Sequence, residues 1–143
     1  MSRRLFLDTN ILLDILLERP GFQAGTEILQ LGADGSVSLC SSYLSIANIA
    51  YVIRKDFKGG ILIPTIKQLS SLLEILPMDD AQLQRALLLD GPDFEDILQA
   101  VCAQSGHCQI IITDNPRPFR IQSRLLPDWS PIPVCTPDEF LRM

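Results

Sequence analysis

Apolar positions along this chain form short unbroken runs that alternate with longer stretches of helical spacing. The first run, Arg4-Leu-Phe-Leu-Asp8, predicts a buried strand ending at Asp8, and Ile11 to Leu17 then reads as a helix broken at Arg19-Pro-Gly21. Helical spacing returns from Gln23 to Leu31, with Ala24, Ile28 and Leu31 on one face. Ser36 to Ser41 predicts a second strand, and Leu44 to Phe57 a strongly apolar helix closed by Lys58-Gly59-Gly60. Pro64 suits the first turn of a helix running to about Leu73, and Glu74 to Met78 reads as a third strand weakened by Pro77. Asp79 or Asp80 caps a helix through Leu89, and Asp90-Gly-Pro92 reads as a loop. Asp93 opens a helix to about Ser105. Gln109 to Thr113 predicts a fully buried fourth strand ending at Asp114. Pro133-Val-Cys135 predicts a short fifth strand before a terminal helix from about Pro137.

Strands that alternate with helices, and that are apolar on both sides, predict a parallel sheet covered on its two faces. The expectation is a three-layer α/β/α fold with four to five parallel strands, formed as one domain over residues 1–143. In such sheets the functional crevice lies beyond the carboxyl ends of the strands.

Composition narrows the function. The 143 residues are 47% hydrophobic, enough for a sizeable core. Twelve basic against 17 acidic residues give a net charge of −5, which argues against a broad basic surface. Nucleic acid would then bind through a local basic strip or through metals bridging carboxylates to phosphate. No apolar run approaches the roughly 20 residues of a spanning helix. The start reaches Asp8 too soon for a secretory leader, so a soluble cytoplasmic protein is expected. Cys40, Cys102, Cys108 and Cys135 lie scattered in apolar surroundings and read as reduced core thiols. With His107 they lack the paired spacing of a structural zinc site. The single His107, beside Gly106 at a helix end, has no partner that suggests histidine catalysis.

The chemistry falls to the carboxylates. Asp8 and Asp114 each follow directly on an apolar strand, so adjacent parallel strands would bring both to one edge. Asp93 and Asp96, three apart at a helix start, share a face. Helices of an open α/β sheet run antiparallel to the strands, which puts this helix start at the same edge. Carboxylates gathered closely repel one another, and a divalent cation offsets that cost. Mg²⁺ and Mn²⁺ take oxygen ligands and suit phosphodiester hydrolysis. Each acid also has a plainer reading. Asp8 caps the next helix, Asp93 is a good N-cap, Glu95 and Asp96 favour the helix dipole, and Asp114 before Asn115-Pro116 forms a turn. The argument rests on the edge they share, where Asn10 adds an amide.

Asn48, within the apolar helix from Leu44 and three residues after Ser45, needs partners for its amide. It reads as a satisfied core amide, a neutral oxygen ligand, or an orienter of a carboxylate. Arg117, Arg120 and Arg124 fall in an acid-free stretch from Asn115 to Leu126, and Arg54, Lys55 and Lys58 close the third helix. Either group suits a nucleic-acid backbone or plain solvation. Tyr51 and Trp129 suit base stacking or, more commonly, packing.

Together, Phe6-Leu-Asp-Thr-Asn10 before an apolar helix, Asp93-Phe-Glu-Asp-Ile-Leu-Gln-Ala100 and Ile111-Ile-Thr-Asp-Asn115 resemble the PIN-domain family. Thr136-Pro-Asp-Glu-Phe140 resembles the ending of a bacterial branch with VapC-type toxins. The resemblance spans nearly the whole chain. It implies a three-layer α/β/α fold and a Mg²⁺- or Mn²⁺-dependent ribonuclease acting on RNA. For small members it also implies a partner antitoxin and a homodimer. It assigns Asp8, Asp96 and Asp114 as metal ligands, with Asp93 as an additional catalytic acid. Asn10, Asn48 and Thr113 are expected to support the site, and Arg117 or Arg120 to steer the RNA. Asn48 stands where the family usually carries its second acid, which implies lower metal affinity, or a module that binds RNA or a protein without cleaving. A haloacid dehalogenase-type phosphatase would need an Asp where Asn10 stands, and a receiver domain an acidic pair and a later Lys that are not evident.

Overall fold

The computed structural model describes residues 3–123 and 125–143. Its main sheet has five strands, all parallel where they pair: β1 (Arg3–Leu7), β2 (Val37–Ser42), β3 (Glu74–Leu76), β5 (Ile110–Ile112) and β7 (Val134–Cys135), in the order β3-β2-β1-β5-β7. The helices are α1 (Thr9–Leu17), α2 (Phe22–Ala33), α3 (Tyr43–Ile53), α4 (Leu62–Ser71), α5 (Asp80–Ala86), α6 (Phe94–Ser105) and α7 (Pro137–Leu141).

Successive strand side chains point to opposite faces, and here both faces are apolar. Leu5, Leu7, Leu39, Ile110 and Ile112 join Ile11, Leu12, Ile28, Ile49, Leu69 and Phe140 in one core. Phe6, Cys40 and Ile111 join Ala86, Ile97, Val101 and Phe119 in the other. The result is the expected α/β/α sandwich with five strands. Helix α2 lies so close to β2 that a Cβ at Gly32 would collide with the Leu39 side chain. Cys40, Cys102 and Cys108 are buried free thiols and Cys135 is half-buried. Among the described residues no helix is long and apolar enough to cross a membrane.

Three local readings differ from the structure. The helix expected to reach Phe57 ends at Ile53 and gives way to turns, although Phe57 still packs against the first core. The helix expected through Leu89 ends at Ala86, because Leu89 enters a two-residue strand, β4 (Leu89–Asp90). That strand pairs antiparallel with β6 (Gln122–Ser123) in a small second sheet that the apolar pattern did not predict. The third strand stops at Leu76, before Pro77, whose ring removes a ladder donor.

The carboxyl ends of the strands are polar. Among the buried polar residues, Asp8, Thr9, Ser41, Ser42, Ser45, Gln99 and Thr113 belong to or face this edge. Gln99, fully buried on α6, accepts from Ser42 Oγ at 2.6 Å and donates through Nε2 to Ser45 Oγ at 2.7 Å and Thr9 Oγ1 at 3.4 Å. Thr9 Oγ1 and Ser45 Oγ are hydrogen-bonded at 2.8 Å, and Ser42 Oγ caps α3 by accepting from Ser45 N at 3.0 Å. This amide therefore ties the starts of α1 and α3 to α6. Removing one partner of a buried network leaves the others unsatisfied. Gln99→Leu is expected to destabilise the fold by about 2–4 kcal/mol in urea denaturation, despite its similar volume. An unchanged midpoint would mean that the network does not hold these helices.

Candidate active site

Parallel pairing of β1 with β5 places Leu7 beside Ile112, and Asp8 N donates to Ile112 O at 3.0 Å. The residues that follow each strand therefore meet. Asp8 is 7% exposed. Its Oδ1 accepts from Thr9 N at 2.8 Å and its Oδ2 from Thr113 Oγ1 at 2.9 Å, which holds the carboxylate from both sides. Asp93 caps α6 by accepting from Asp96 N at 3.1 Å. The capping role read from sequence is thus real, and it coexists with a place at the site.

A cavity of about 290 Å³ opens at this edge. Its walls carry the carboxylates of Asp8, Asp93, Glu95 and Asp96, the polar side chains of Thr9, Asn10, Thr113 and Asn115, and Pro118. Asp114 is not among the lining residues. Between Thr113 and Asn115, its carboxyl turns to that of Asp14 on α1. Asp14 also pairs with Arg19 at 3.5 Å.

Asp8, Glu95, Asp96 and Asp114 each hold their proton more tightly than usual. Burial pushes Asp96 up to about 7, helped by the charges of Asp8, Asp93 and Glu95. Burial of its carboxyl also pushes Asp114 up to about 7, through the hydrogen bond and charge of Asp14 and the charge of Asp8, against the opposing pull of Arg19. Asp8 is raised by burial and by Asp93, opposed by its hydrogen bonds from Thr113 and Thr9. Glu95 is raised by burial and by Asp93 and Asp8, opposed by a hydrogen bond from Asn48. The site is an uncompensated anionic pocket. Among the described residues no three His, Cys, Asp or Glu side chains form a ready-made ligand cage. The acids ring an open space instead.

Of the side chains singled out in the sequence, Asp8, Asp93, Asp96, Asn10 and Thr113 share this cavity. Asn48 reaches it indirectly: its Nδ2 donates to Glu95 Oε1 at 2.7 Å, the carboxylate-orienting role among those read from the sequence. Arg117 opens a 3₁₀ turn (Arg117–Phe119) whose Pro118 lines the cavity. Arg120 lines a separate hollow of about 300 Å³ with Asp90 and Gln122. Arg124 lies outside the described residues. Trp129 packs against the second core. Tyr51 is exposed, with the Arg54 guanidinium 3.7 Å from its ring centre. His107 is exposed at a left-handed turn, φ 60°. The sequence reading missed Glu95 and Asp14 as members of the site. An acid in a first helical turn already has a reason in the helix dipole, so Glu95 gave no separate signal.

The fold and the site define a class, an α/β/α domain with acids gathered at the carboxyl edge of a parallel sheet. A sequence profile for the PIN domain matches residues 4–117, and the chain belongs to the PIN domain family. It is 30% identical to Ribonuclease VapC1 of Aquifex aeolicus (strain VF5) over 145 residues, covering 97% of this chain and 94% of that protein. Its fold matches a toxin–antitoxin complex from Klebsiella pneumoniae with a TM-score of 0.64 at 18% identity, covering 93% of this chain and 97% of the other. It also matches DNA-bound VapBC from Salmonella typhimurium with a TM-score of 0.62 at 22% identity, covering 96% and 99%.

The raised acids make stability depend on pH. Between the unfolded value of 3.8 and the folded value of about 7, the folded chain binds more protons through Asp96 and Asp114 than the unfolded chain does. Their contribution is full below the unfolded value and is lost as pH rises through about 7. In chelator-containing buffer, Asp96→Asn is expected to melt higher than wild type at about pH 8 and to lose part of the fall in melting temperature between about pH 5 and about pH 8. Parallel melting curves for the two proteins would show that the acids do not strain the apo site.

Proposed function

We propose that this chain is a divalent-metal-dependent endoribonuclease and the toxin of a toxin–antitoxin pair. The observation that carries the reading is the meeting of Asp8, Asp93, Glu95 and Asp96 around one cavity, in a chain 30% identical to a ribonuclease. The donor set fits Mg²⁺ or Mn²⁺. All the donors are hard oxygens, their mutual repulsion is relieved by a cation, and an open ring suits ions that keep several waters.

Asp8 and Asp96 would hold the ion, with Asp93 assisting, and Asp114 would join them on turning from Asp14 toward the cavity. When bound, the ion supplies positive charge for phosphate oxygens and acidifies a water at neutral pH. Thr9 and Thr113 fix the Asp8 carboxylate so that its oxygens need no reorganisation. Asn10 and Asn115 offer amides in the cavity wall for the ribose or phosphate. Arg117 and Arg120, both exposed and following the Asp114 strand end, would hold the RNA backbone. The antitoxin partner is supported by the assemblies in which structurally similar proteins are found.

The direct test is cleavage of RNA with Mn²⁺ by wild type and Asp8→Asn. The variant is expected to be slower by about 100-fold or more, with its fold intact by circular dichroism. Equal cleavage by both proteins would remove the cavity from the chemistry.

A further inference from the structure

Helix α3 (YLSIANIAYVI) runs beside the site without a single acid. Its only amide side chain, Asn48, is half-buried and is spent on a residue from another helix. The contact from Asn48 Nδ2 to Glu95 Oε1 is 2.7 Å and joins residues 47 apart in the chain.

Glu95 does not need this contact for ordinary helix reasons. Asp93 already caps α6, and Asp96 already places a charge in the first turn. A glutamate there gains its share of the dipole energy while free in solvent. Instead it is held in the cavity wall with Asp8 and Asp93, whose charges oppose its own. Fixing a long acidic side chain costs rotamer entropy and, in this place, repulsion. The arrangement makes sense when a cation in the cavity recovers both.

We propose that Asn48 and Glu95 act as a unit, in which Asn48 positions Glu95 and Glu95 supplies the divalent cation with the carboxylate that α3 lacks. The inference rests on the metal-dependent reading above. It assigns Glu95 as a ligand, directly or through a water, and Asn48 as a positioning residue. Because the two side chains face each other across one hydrogen bond, the charge should work from either side. An acid on α3 and an amide on α6 keep one carboxylate, one donor and the same net charge.

The experiment is calorimetric titration of the full chain with Mn²⁺ alone, without RNA. E95Q is expected to weaken binding about 10- to 100-fold, and N48L several-fold. N48L added to E95Q is expected to cost nothing further, because the residue it positions is already neutral. The exchanged pair N48D/E95Q is expected to bind within about threefold of wild type, a recovery that a purely structural role for Asn48 would not produce. Melting of each apo variant confirms folding. Wild-type affinity in E95Q, or a full additional loss when N48L joins E95Q, overturns the proposal. D8N separates the two levels of the argument. If D8N loses Mn²⁺ while E95Q keeps it, the assignment of Glu95 fails and the metal site stands. If both keep it, the metal-dependent reading fails as well.

Discussion

The acidic edge depends on one neutral side chain beneath it. Apolar packing against the sheet holds α1, α3 and α6 down, but such packing leaves each helix free to settle by small rotations and slides. The Gln99 amide removes that freedom. Its oxygen accepts a hydrogen bond from Ser42, and its nitrogen donates to Ser45 and Thr9, so three chain segments are pinned at one buried point. Three residues earlier on the same helix stands Asp96, and directly above Thr9 in the chain stands Asp8. A polar layer with every member satisfied thus carries a charged layer whose members repel. The first makes the second affordable, since like charges stay together only on a scaffold stiffer than their repulsion.

That division also explains where the protein places its compensating charge. Arg4 is used far from the site, on Glu74 and the Gly106 carbonyl, and Arg85 faces Asp128. Near the acids, Arg19 pairs with Asp14 and opposes the rise at Asp114. The pocket is left anionic although 12 basic residues were available to neutralise it. Raised proton affinities are the expected mark of such a site, and perturbed acids in a cleft are where chemistry is found. In Asp8 the hydrogen bonds from Thr113 and Thr9 oppose the rise that burial and Asp93 cause.

The parts of this design that were legible in the sequence are those with a local or periodic signal. Leu5 to Leu7 and Ile110 to Ile112 are apolar on both faces, which marks them as interior parallel strands, and the placement of Asp8 and Asp114 follows. Asp79, Asp93 and Thr136 cap their helices as their residue types suggest. Two-residue strands have no period to detect. Leu89 continued the apolar run of Leu87 and Leu88, although those two are largely exposed and only Leu89 is buried. The partnership of Asn48 with Glu95 was illegible for a different reason. It spans two helices, and each residue had a sufficient local explanation, so only their proximity in space reveals it. Asp114 turning to Asp14 is the same kind of fact.

The strand order has a consequence for how the molecule comes into being. β1 precedes the other strands of its sheet in sequence yet occupies the middle of it, and Leu5 must wait for Ile110 before its second side is paired. Until then the Asp8 carboxylate has neither Thr113 nor the α6 acids for company. A chain extended only through α6 therefore lacks the residues after β5 that complete the pocket wall. Long-range closure of this kind is slow, and here the acidic pocket cannot be complete until β5 joins β1.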